Sequence, residues 1–587
     1  MSLLSCIQKS NLPIDIIKYI STFNSFEDNV NSFFLVNKEL YLFSNKKSLL
    51  VKSYELTKDI KKYSNQLTII NNVDSNFDTT NYHNIKHISF HSSFNDELLI
   101  NNLPNTILSI NLNNTFNKKL YHLPIFLKYL DIGENFNEDI DCLPPNLEKL
   151  ILGNSFNKEI NKLPNSLKYL SLGRDFNQKV DNLPNNLEHL LFGFMFNQNV
   201  DNLPKSLKYL SFGYSFNKMV NHLPPNIINL SFGTMFNQKV NKLPPNLLDL
   251  YFGFSFTKSI NKLPNKLLHL YLGTKFNNTI DNLPDSIKTL HFGPNFNVPI
   301  NKMPKNLIFL SLGFNFNQEI KFNTNLISLN LSGYYNKQIT YLPSSLVTLN
   351  LSHYYNHSSL YIPPHLKFLD LSNCQFINDI DINFSSMTSL RNLILGNEYN
   401  KPLDNNIPPN LLYLSISGKY NFPLNNLPKT LFKLSIYGNF NKTLDLLPLE
   451  LSHLTIESIF NNPINNLPQN LKTLHLGKLF NQSIDYLPDS ITDLHLGCNF
   501  NTPIKKLPLH LHKISLHNDY EHKVILPPDI TITIYSHSEY SPYISSHILQ
   551  LLPPNIKINL IKINLTDKNM IYLKNKNIKY TLSNSFI

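Results

Sequence analysis

The chain has 587 residues, and 42% of them are hydrophobic, which is typical of a soluble folded protein. It contains no apolar stretch of about 18 residues and no apolar core of signal-peptide length at its start, so the sequence predicts neither a transmembrane helix nor a secretory leader. The net charge of +11 comes almost entirely from dispersed Lys residues, which argues against a nucleic-acid-binding surface.

Residues 8–50 differ from the rest of the chain because they lack its repeat and show helical patterns. Pro13 suits the first turn of a helix, and a second helical pattern covers residues 33–41. The apolar residues on one face of the first helix are Ile16, Ile17 and Ile20. Two interpretations remain open, a small helical domain with its own partner or an amphipathic cap that shields the first coil of a solenoid.

Residues 51–84 form a transition, in which residues 67–70 are a candidate irregular strand. From residue 85 to residue 526 the sequence repeats with a period near 20. Phe recurs every 20 residues from Phe116 to Phe316, eleven times in all. A fixed period of this length indicates a solenoid, here of about 22 coils.

Each repeat is numbered from its Phe, and its apolar positions are 1, 5, 8, 12, 15 and 17. Positions 12, 15 and 17 read L-x-x-L-x-L, the strand signature of a leucine-rich repeat. Gly follows at position 18, where we expect a backbone conformation that penalises a Cβ atom. Pro at position 9 opposes a helix. These features predict flat coils with a parallel strand on the concave side and extended or 3₁₀ backbone on the convex side.

Two further positions predict the interior of the coil. The Phe at position 1 should stack on its copies and form an aromatic spine. Position 2 is Asn in nearly every repeat, as in Asn117, Asn137 and Asn157. This Asn either joins successive coils in a hydrogen-bonded ladder or makes a plain Asx turn at the surface, and we favour the ladder because a turn alone would also accept Asp or Ser.

Positions 14 and 16 flank the buried Leu of the strand and should point outward from the concave sheet. Many of them are aromatic or imidazole side chains, and neighbouring coils should bring these into one continuous strip, which we call the strand-face strip. Its members are Tyr129, Tyr169, His189, Tyr209, Tyr251, His269, Tyr271, His291 and Phe309. Exposed aromatic side chains on a rigid sheet favour a target-binding face, and the alternative is stacking that only stabilises the sheet.

No pattern in the sequence predicts catalysis, a cofactor or a metal. His475 and His495 occupy position 16 of adjacent coils, but His453 is offset from them, so a ligand set for zinc is incomplete. The four cysteines are scattered, which indicates a reducing compartment and argues against disulfides and zinc. We therefore expect a protein that is not an enzyme.

Two regions depart from the period. The strand pattern at 366–371 is followed by the next one, at 390–395, after 24 residues, which is longer than the period near 20. This longer spacing predicts a bulge or bend in the solenoid. Residues 527–587 contain weakened copies of the repeat and are expected to form degenerate coils and a C-terminal cap.

The repeats resemble the FNIP repeat, a variant leucine-rich repeat. The string that gives the family its name appears nearly literally at 296–300, 460–464 and 500–504, and the resemblance covers roughly residues 85–526. The family is associated with amoebae and with large viruses that infect them. Because the cysteines indicate a reducing compartment, we expect a protein of the cytoplasm or nucleus, or of the host-cell cytoplasm if the chain is viral.

Residues 8–50 resemble an F-box, which opens with Leu-Pro and paired aliphatic residues and closes with Leu-Val-x-Lys. The matching positions are Leu12, Pro13, Ile16, Ile17, Ile20, Leu35 and Val36. Together the two resemblances imply a substrate-recognition adaptor of a cullin-RING ubiquitin ligase. Its F-box would dock on the small adaptor subunit, which joins it to the cullin, and its repeats would hold a target protein. The alternative is a repeat scaffold whose helical N-terminus is only a cap. Neither nucleic acid nor a membrane is an expected partner.

Overall fold

The computed structural model describes the chain from residue 51 with gaps. The described residues are 51–52, 69–73, 85–97, 102–331, 333–357, 360–375, 377–524, 530–536, 556–563, 567–576 and 578–583, with single positions at 100, 526, 544, 548, 550, 552 and 565. The predicted helical segment at 8–50 lies outside them. Contacts divide the chain into two compact units, with the division falling between Asn325 and Leu326.

The unit that ends at Asn325 is a stack of parallel strands, one in each coil. Its strands are β1 Val51–Lys52, β2 Ile69–Val73, β3 His87–Phe90, β4 Ser109–Asn111, β5 Tyr129–Asp131, β6 Lys149–Ile151, β7 Tyr169–Ser171, β8 His189–Leu191, β9 Tyr209–Ser211, β10 Asn229–Ser231, β11 Asp249–Tyr251, β12 His269–Tyr271, β13 Thr289–His291 and β14 Phe309–Leu312. Leu210 is the register partner of Leu230, which in turn pairs with Leu250, so the register advances by one repeat per strand. The predicted parallel-sheet solenoid is confirmed.

The unit that begins at Leu326 has the same construction. Its strands are β15 Ser328–Leu331, β16 Thr348–Asn350, β17 Phe368–Leu371, β18 Asn392–Leu395, β19 Tyr413–Ile416, β20 Lys433–Gly438, β21 His453–Ser458, β22 Thr473–Leu476, β23 Asp493–His495, β24 Lys513–His517, β25 Thr531–Tyr535, β26 Lys557–Ile561 and β27 Lys579–Ser583. An α-helix, α1 Asp567–Asn575, lies between β26 and β27. All the strand pairs recorded from β15 to β27 are parallel.

The coil between β17 and β18 is longer than the regular repeat, and its extra residues lie outside the sheet. β17 and β18 pair in unbroken register from Phe368↔Asn392 to Leu371↔Leu395. The extra residues form two short 3₁₀ turns, Ile377–Asp379 and Phe384–Ser386. The 3₁₀ backbone expected for the convex side is therefore present in this coil, whereas the return paths of the regular coils are extended segments and turns.

The predicted aromatic spine is the core of the coils. From Phe94 to Phe296 the Phe side chains at position 1 stack with ring centroids 6.0–6.2 Å apart. Parallel strands lie about 4.8 Å apart. Each coil is therefore narrower at its strand than at its spine, which places the strands on the concave side of this unit.

Position 2 forms the predicted ladder and not an isolated Asx turn, but its Asn side chains are exposed or half-buried and do not lie in the interior of the coil. The Oδ1 atom of Asn217 accepts a 2.9 Å hydrogen bond from the backbone N–H of Asn237 in the next coil. The backbone N–H of Asn217 itself donates to Oδ1 of Asn197 at 3.0 Å. Gln at position 3 reinforces the ladder, since Nε2 of Gln238 donates to both the carbonyl oxygen and Oδ1 of Asn217 at 3.1 Å.

Position 18 requires Gly for a different reason from the one predicted. In the coils of the first unit only Gly133 has a positive φ among the described glycines. A Cβ atom on Gly213 would lie 1.8 Å from the carbonyl oxygen of Gly193 in the preceding coil. Close approach of successive backbones therefore requires Gly here, and a left-handed conformation does not.

Candidate functional site

Strands β4 to β13 present the side chains of positions 14 and 16 on their outward face. The central residue of each strand, which is Ile110 in β4 and Leu in the others, is buried, and the residues on either side of it are half-buried or, at Asn111, exposed. This alternation follows from the period of two in a strand, because the Leu side chains turn into the coil. The rigid ladder of strands fixes the spacing of the outward side chains.

The first group of the strand-face strip lies at position 14. His189 stacks on Tyr209 with ring centroids 4.3 Å apart and planes 4° from parallel, and Tyr169 contacts His189 at 5.8 Å. The ammonium of Lys149 lies 4.5 Å from the ring centroid of Tyr169 and 5.4 Å from that of Tyr129. Five adjacent coils therefore present one continuous row of rings joined by a cation–π contact.

The second group lies at position 16. Tyr251 and Tyr271 stack with ring centroids 4.5 Å apart, and Tyr271 contacts His291 at 6.0 Å. His269 lies beside Asp249 as its register partner at position 14. Position 14 is Asn229 in the coil between the two groups and Asp249 in the first coil of the second group, so the aromatic row changes from position 14 to position 16.

Burial shifts the protonation of this group in favour of uncharged side chains. It raises the pKa of Tyr271 to about 12 and also raises the pKa of Tyr251. It lowers the pKa of His291 to about 4 and raises the pKa of Asp249, against the opposing effect of the His269 charge. At neutral pH the tyrosines therefore offer intact hydroxyl donors, and His291 is a neutral imidazole.

A row of exposed ion pairs borders the first group at position 13. The ammonium groups of Lys128 and Lys168 lie 3.0 Å and 3.2 Å from the carboxylate of Glu148. The next pair joins Lys208 to Glu188 at 2.9 Å. The charges alternate along the row, so this margin of the strip carries little net charge, and exposed pairs of this kind add little stability.

The stacked rings determine what the strip can do chemically. Their faces cover one another, so the strip presents mainly ring edges and the polar ends of the rings to an incoming molecule. Such side chains combine apolar area with hydrogen bonding, which is the composition of protein-binding hot spots. The strip contains no paired carboxylates and no nucleophile beside a base among the residues described above.

The structure corrects two predictions about the strip. Phe309 is buried, with 7% of its surface exposed, so it cannot offer a ring to a partner. The predicted single strip is two groups on opposite sides of the central Leu. The sequence analysis did not include Lys149 in the strip. Lys149 occupies position 14 in the coil between those of Tyr129 and Tyr169, and this placement could have identified it.

The predicted F-box positions, from Leu12 to Val36, lie outside the described residues. Across the described part of the chain no group of His, Cys, Asp or Glu side chains could hold a metal ion. His475 and His495 are neighbours, with ring centroids 5.1 Å apart. Within the described residues, no helix has both the length and the apolarity that a membrane span requires.

Comparison with known proteins agrees with this geometry. The family model described as FNIP Repeat matches residues 83–115, 116–155, 139–163, 156–195, 196–233 and 276–315. A crystal structure described as CroV588, a novel circular LRR protein, is similar to this chain at 30% sequence identity and a TM-score of 0.65. That similarity covers 89% of this chain and 96% of CroV588. The chain belongs to the leucine-rich-repeat proteins, with repeats of the FNIP type.

This FNIP-type protein is also similar to the structure of YopM from Yersinia enterocolitica WA-314, at 19% identity and a TM-score of 0.40, over 73% of this chain and 91% of YopM. No curated protein matches its sequence. A repeat solenoid of this type is a scaffold suited to protein–protein binding and is typical of proteins that are not enzymes.

Proposed function

We propose that the strand-face strip holds a target protein and that residues 8–50 deliver that target to a cullin-RING ubiquitin ligase. The observation that carries the first part is the pair of half-buried aromatic groups on a rigid parallel sheet, from Tyr129 to Tyr209 and from Tyr251 to His291. Rigid aromatic side chains lose little conformational entropy when they bind, so they are efficient anchors for a partner.

The second part rests on the F-box resemblance of residues 8–50. In that arrangement Pro13 and Ile17 face the small adaptor subunit, and the repeats bind the target independently. The alternative is that these residues cap the first coil and that the chain is a scaffold without a ligase. For either alternative we propose the cytoplasm or nucleus, because the scattered cysteines suit a reducing compartment.

Two variants separate these parts. Affinity purification of the full chain would be probed by antibodies against the cullin and its adaptor and by mass spectrometry for a target. Replacing Pro13 with Ala and Ile17 with Asp should abolish recovery of the cullin and leave the target and the thermal melt unchanged. Replacing His189 and Tyr209 with Ala should remove the target and leave the cullin.

The scaffold alternative predicts a different pattern. If residues 8–50 are a cap, the Pro13→Ala and Ile17→Asp variant would melt at a lower temperature, and the parent protein would recover no cullin. That result would remove the ligase role and leave target binding by the strip. Retention of the target by the His189→Ala and Tyr209→Ala variant would instead contradict the binding role of the strip.

A further inference from the structure

A second surface lies where each strand leaves the sheet. Between the Gly of position 18 and the buried residue of position 5, the chain turns over the side of the coil, and in six successive coils only the Phe of position 1 is buried there. In these coils this turn presents a surface that we call the exit flank. Its residues are 174–179, 194–199, 214–219, 234–239, 254–259 and 274–279.

The exit flank exposes large apolar side chains. They are Phe194 at 42% exposure, Met195 at 47%, Tyr214 at 40%, Met219 at 67%, Met235 at 45% and Phe254 at 44%. Backbone hydrogen bonds keep the coils in contact, since the N–H of Met235 donates to the carbonyl of Tyr214 at 2.8 Å. With roughly 200 Å² for each large side chain, the exposed apolar area is about 570 Å², which is in the range of interaction sites.

Cations flank the aromatic side chains at both ends of this surface. Phe194 stacks on Tyr214 with ring centroids 4.3 Å apart and planes 6° from parallel. The guanidinium of Arg174, from the preceding coil, lies 5.7 Å from the Phe194 ring centroid. At the other end the ammonium of Lys275 lies 5.2 Å from the ring centroid of Phe254. The faces of Phe194 are therefore occupied on both sides.

Positive charge is concentrated on the same surface. The exit flank contains one acidic residue, Asp175, which lies 3.8 Å from Arg174. Its basic residues are Arg174, Lys179, Lys218, Lys239, Lys258 and Lys275. The opposite side of the same coils, which we call the return flank, carries four basic and four acidic residues in residues 181–186, 201–206, 221–226, 241–246, 261–266 and 281–286.

We propose that the exit flank binds an acidic polypeptide segment that carries aromatic or long aliphatic side chains. Carboxylates of the segment complement the excess of basic side chains, and its apolar side chains cover the exposed aromatic and methionine residues. Six coils at about 5 Å each span roughly 25 Å, the length of about eight residues of extended peptide.

A polypeptide fits this surface better than a single-stranded nucleic acid does. Base recognition on such surfaces depends on free aromatic faces, whereas the faces of Phe194 are covered by Tyr214 and Arg174. The three methionines offer flexible apolar area, which suits aliphatic and aromatic side chains. This surface is separate from the strand-face strip, so the two proposals stand independently.

The test selects a random library of displayed peptides of about 12 residues, longer than the flank, on the full chain. Enriched peptides should be acidic and rich in Phe, Leu or Met. Replacing Lys218 and Lys239 with Glu should weaken binding of a synthetic enriched peptide by at least about tenfold, because both charges change sign at the contact. The matched control replaces Lys242 and Lys262 of the return flank with Glu and should leave the affinity within about threefold, since distant exposed charges are screened.

A second variant tests the apolar contribution. Replacing Met235 and Phe254 with Ser should also weaken the peptide, and circular dichroism melts should stay unchanged because these side chains are exposed. Enrichment of no acidic apolar peptide, or tighter binding of a thymidine oligonucleotide than of the peptide, would overturn the proposal. If the variant that carries Lys218→Glu and Lys239→Glu bound the peptide with the same affinity as the native chain, that result would overturn the proposal as well. Loss of the peptide only in the His189→Ala and Tyr209→Ala variant would move the peptide to the strand-face strip.

Discussion

At the scale of single residues, position 1 shows how one side chain stabilises a coil. Phe216 is fully buried, and its ring lies 6.0 Å from Phe196 and from Phe236 and 3.8 Å from Phe212. Phe254 is the same residue type on the surface, at 44% exposure. A comparison of Phe216 with Phe254 therefore separates the effect of burial from the effect of residue type.

Replacing Phe216 with Ala should cost about 3–5 kcal/mol, because it removes a stacked ring and leaves a cavity. The loss should stay near this coil, since a solenoid is stabilised by contacts between neighbouring repeats. Hydrogen exchange of peptides from 196–236 should therefore accelerate more than exchange elsewhere. Phe254→Ala should leave exchange nearly unchanged, and equal effects of the two variants would contradict a buried spine.

His291 gives the strip a predictable pH response. Burial lowers its pKa to about 4 from 6.5, so the unfolded chain takes up this proton at a higher pH than the folded chain. The unfolded state therefore binds more protons between these values, and stability falls as the pH drops from about 6.5 to about 4. Above 6.5 both states are neutral at this side chain, and the effect is absent.

His291→Gln should remove this part of the pH dependence. Denaturant unfolding at pH 7.5 and at pH 4.5 would compare the two chains, and the native chain should lose more stability between these conditions than the variant loses. His222, whose side chain is 69% exposed, provides the control, and His222→Gln should follow the native chain. Parallel pH curves for the native chain and His291→Gln would contradict burial as the cause.

At the scale of the coil, the ladder of glycines sets the distance between neighbours. Gly213→Ala would place a Cβ atom 1.8 Å from the carbonyl oxygen of Gly193, so the two backbones must separate. We expect destabilisation of about 1–3 kcal/mol or more, as for other overpacked sites, and faster exchange in β8 and β9. Ser215→Ala, in the same turn, should have little effect. A Gly213→Ala chain as stable as this control would contradict the close approach.

The sequence predicts the elements better than it predicts their surfaces. Strand position, the spine and the Asn ladder follow from the period, because each depends on contacts that every coil repeats. The burial of Phe309 does not follow, because the same position 14 is half-buried in Tyr209 and His269. The exit flank was missed for a related reason. Its exposed side chains come from positions 19, 20 and 4, which look unremarkable within any single repeat.

At the scale of the whole molecule, buried and outward positions differ in how much they vary between coils. Position 15 is Leu in every coil from Leu130 to Leu310, and all of these side chains are buried. Position 14 over the same coils includes Tyr, Lys, His, Asn, Asp, Thr and Phe. The solenoid therefore keeps one interior and varies its outward strand face, which is the arrangement expected of a recognition surface.

The most direct test of that claim is photo-crosslinking from single positions of the full chain in cells that express it. A benzophenone side chain at position 209 or 271, in place of Tyr209 or Tyr271, should give adducts with a discrete protein partner. The same group at Asn226, on the return side, should give none. Equal adducts at all three positions, or adducts only at Asn226, would contradict recognition by the strand face.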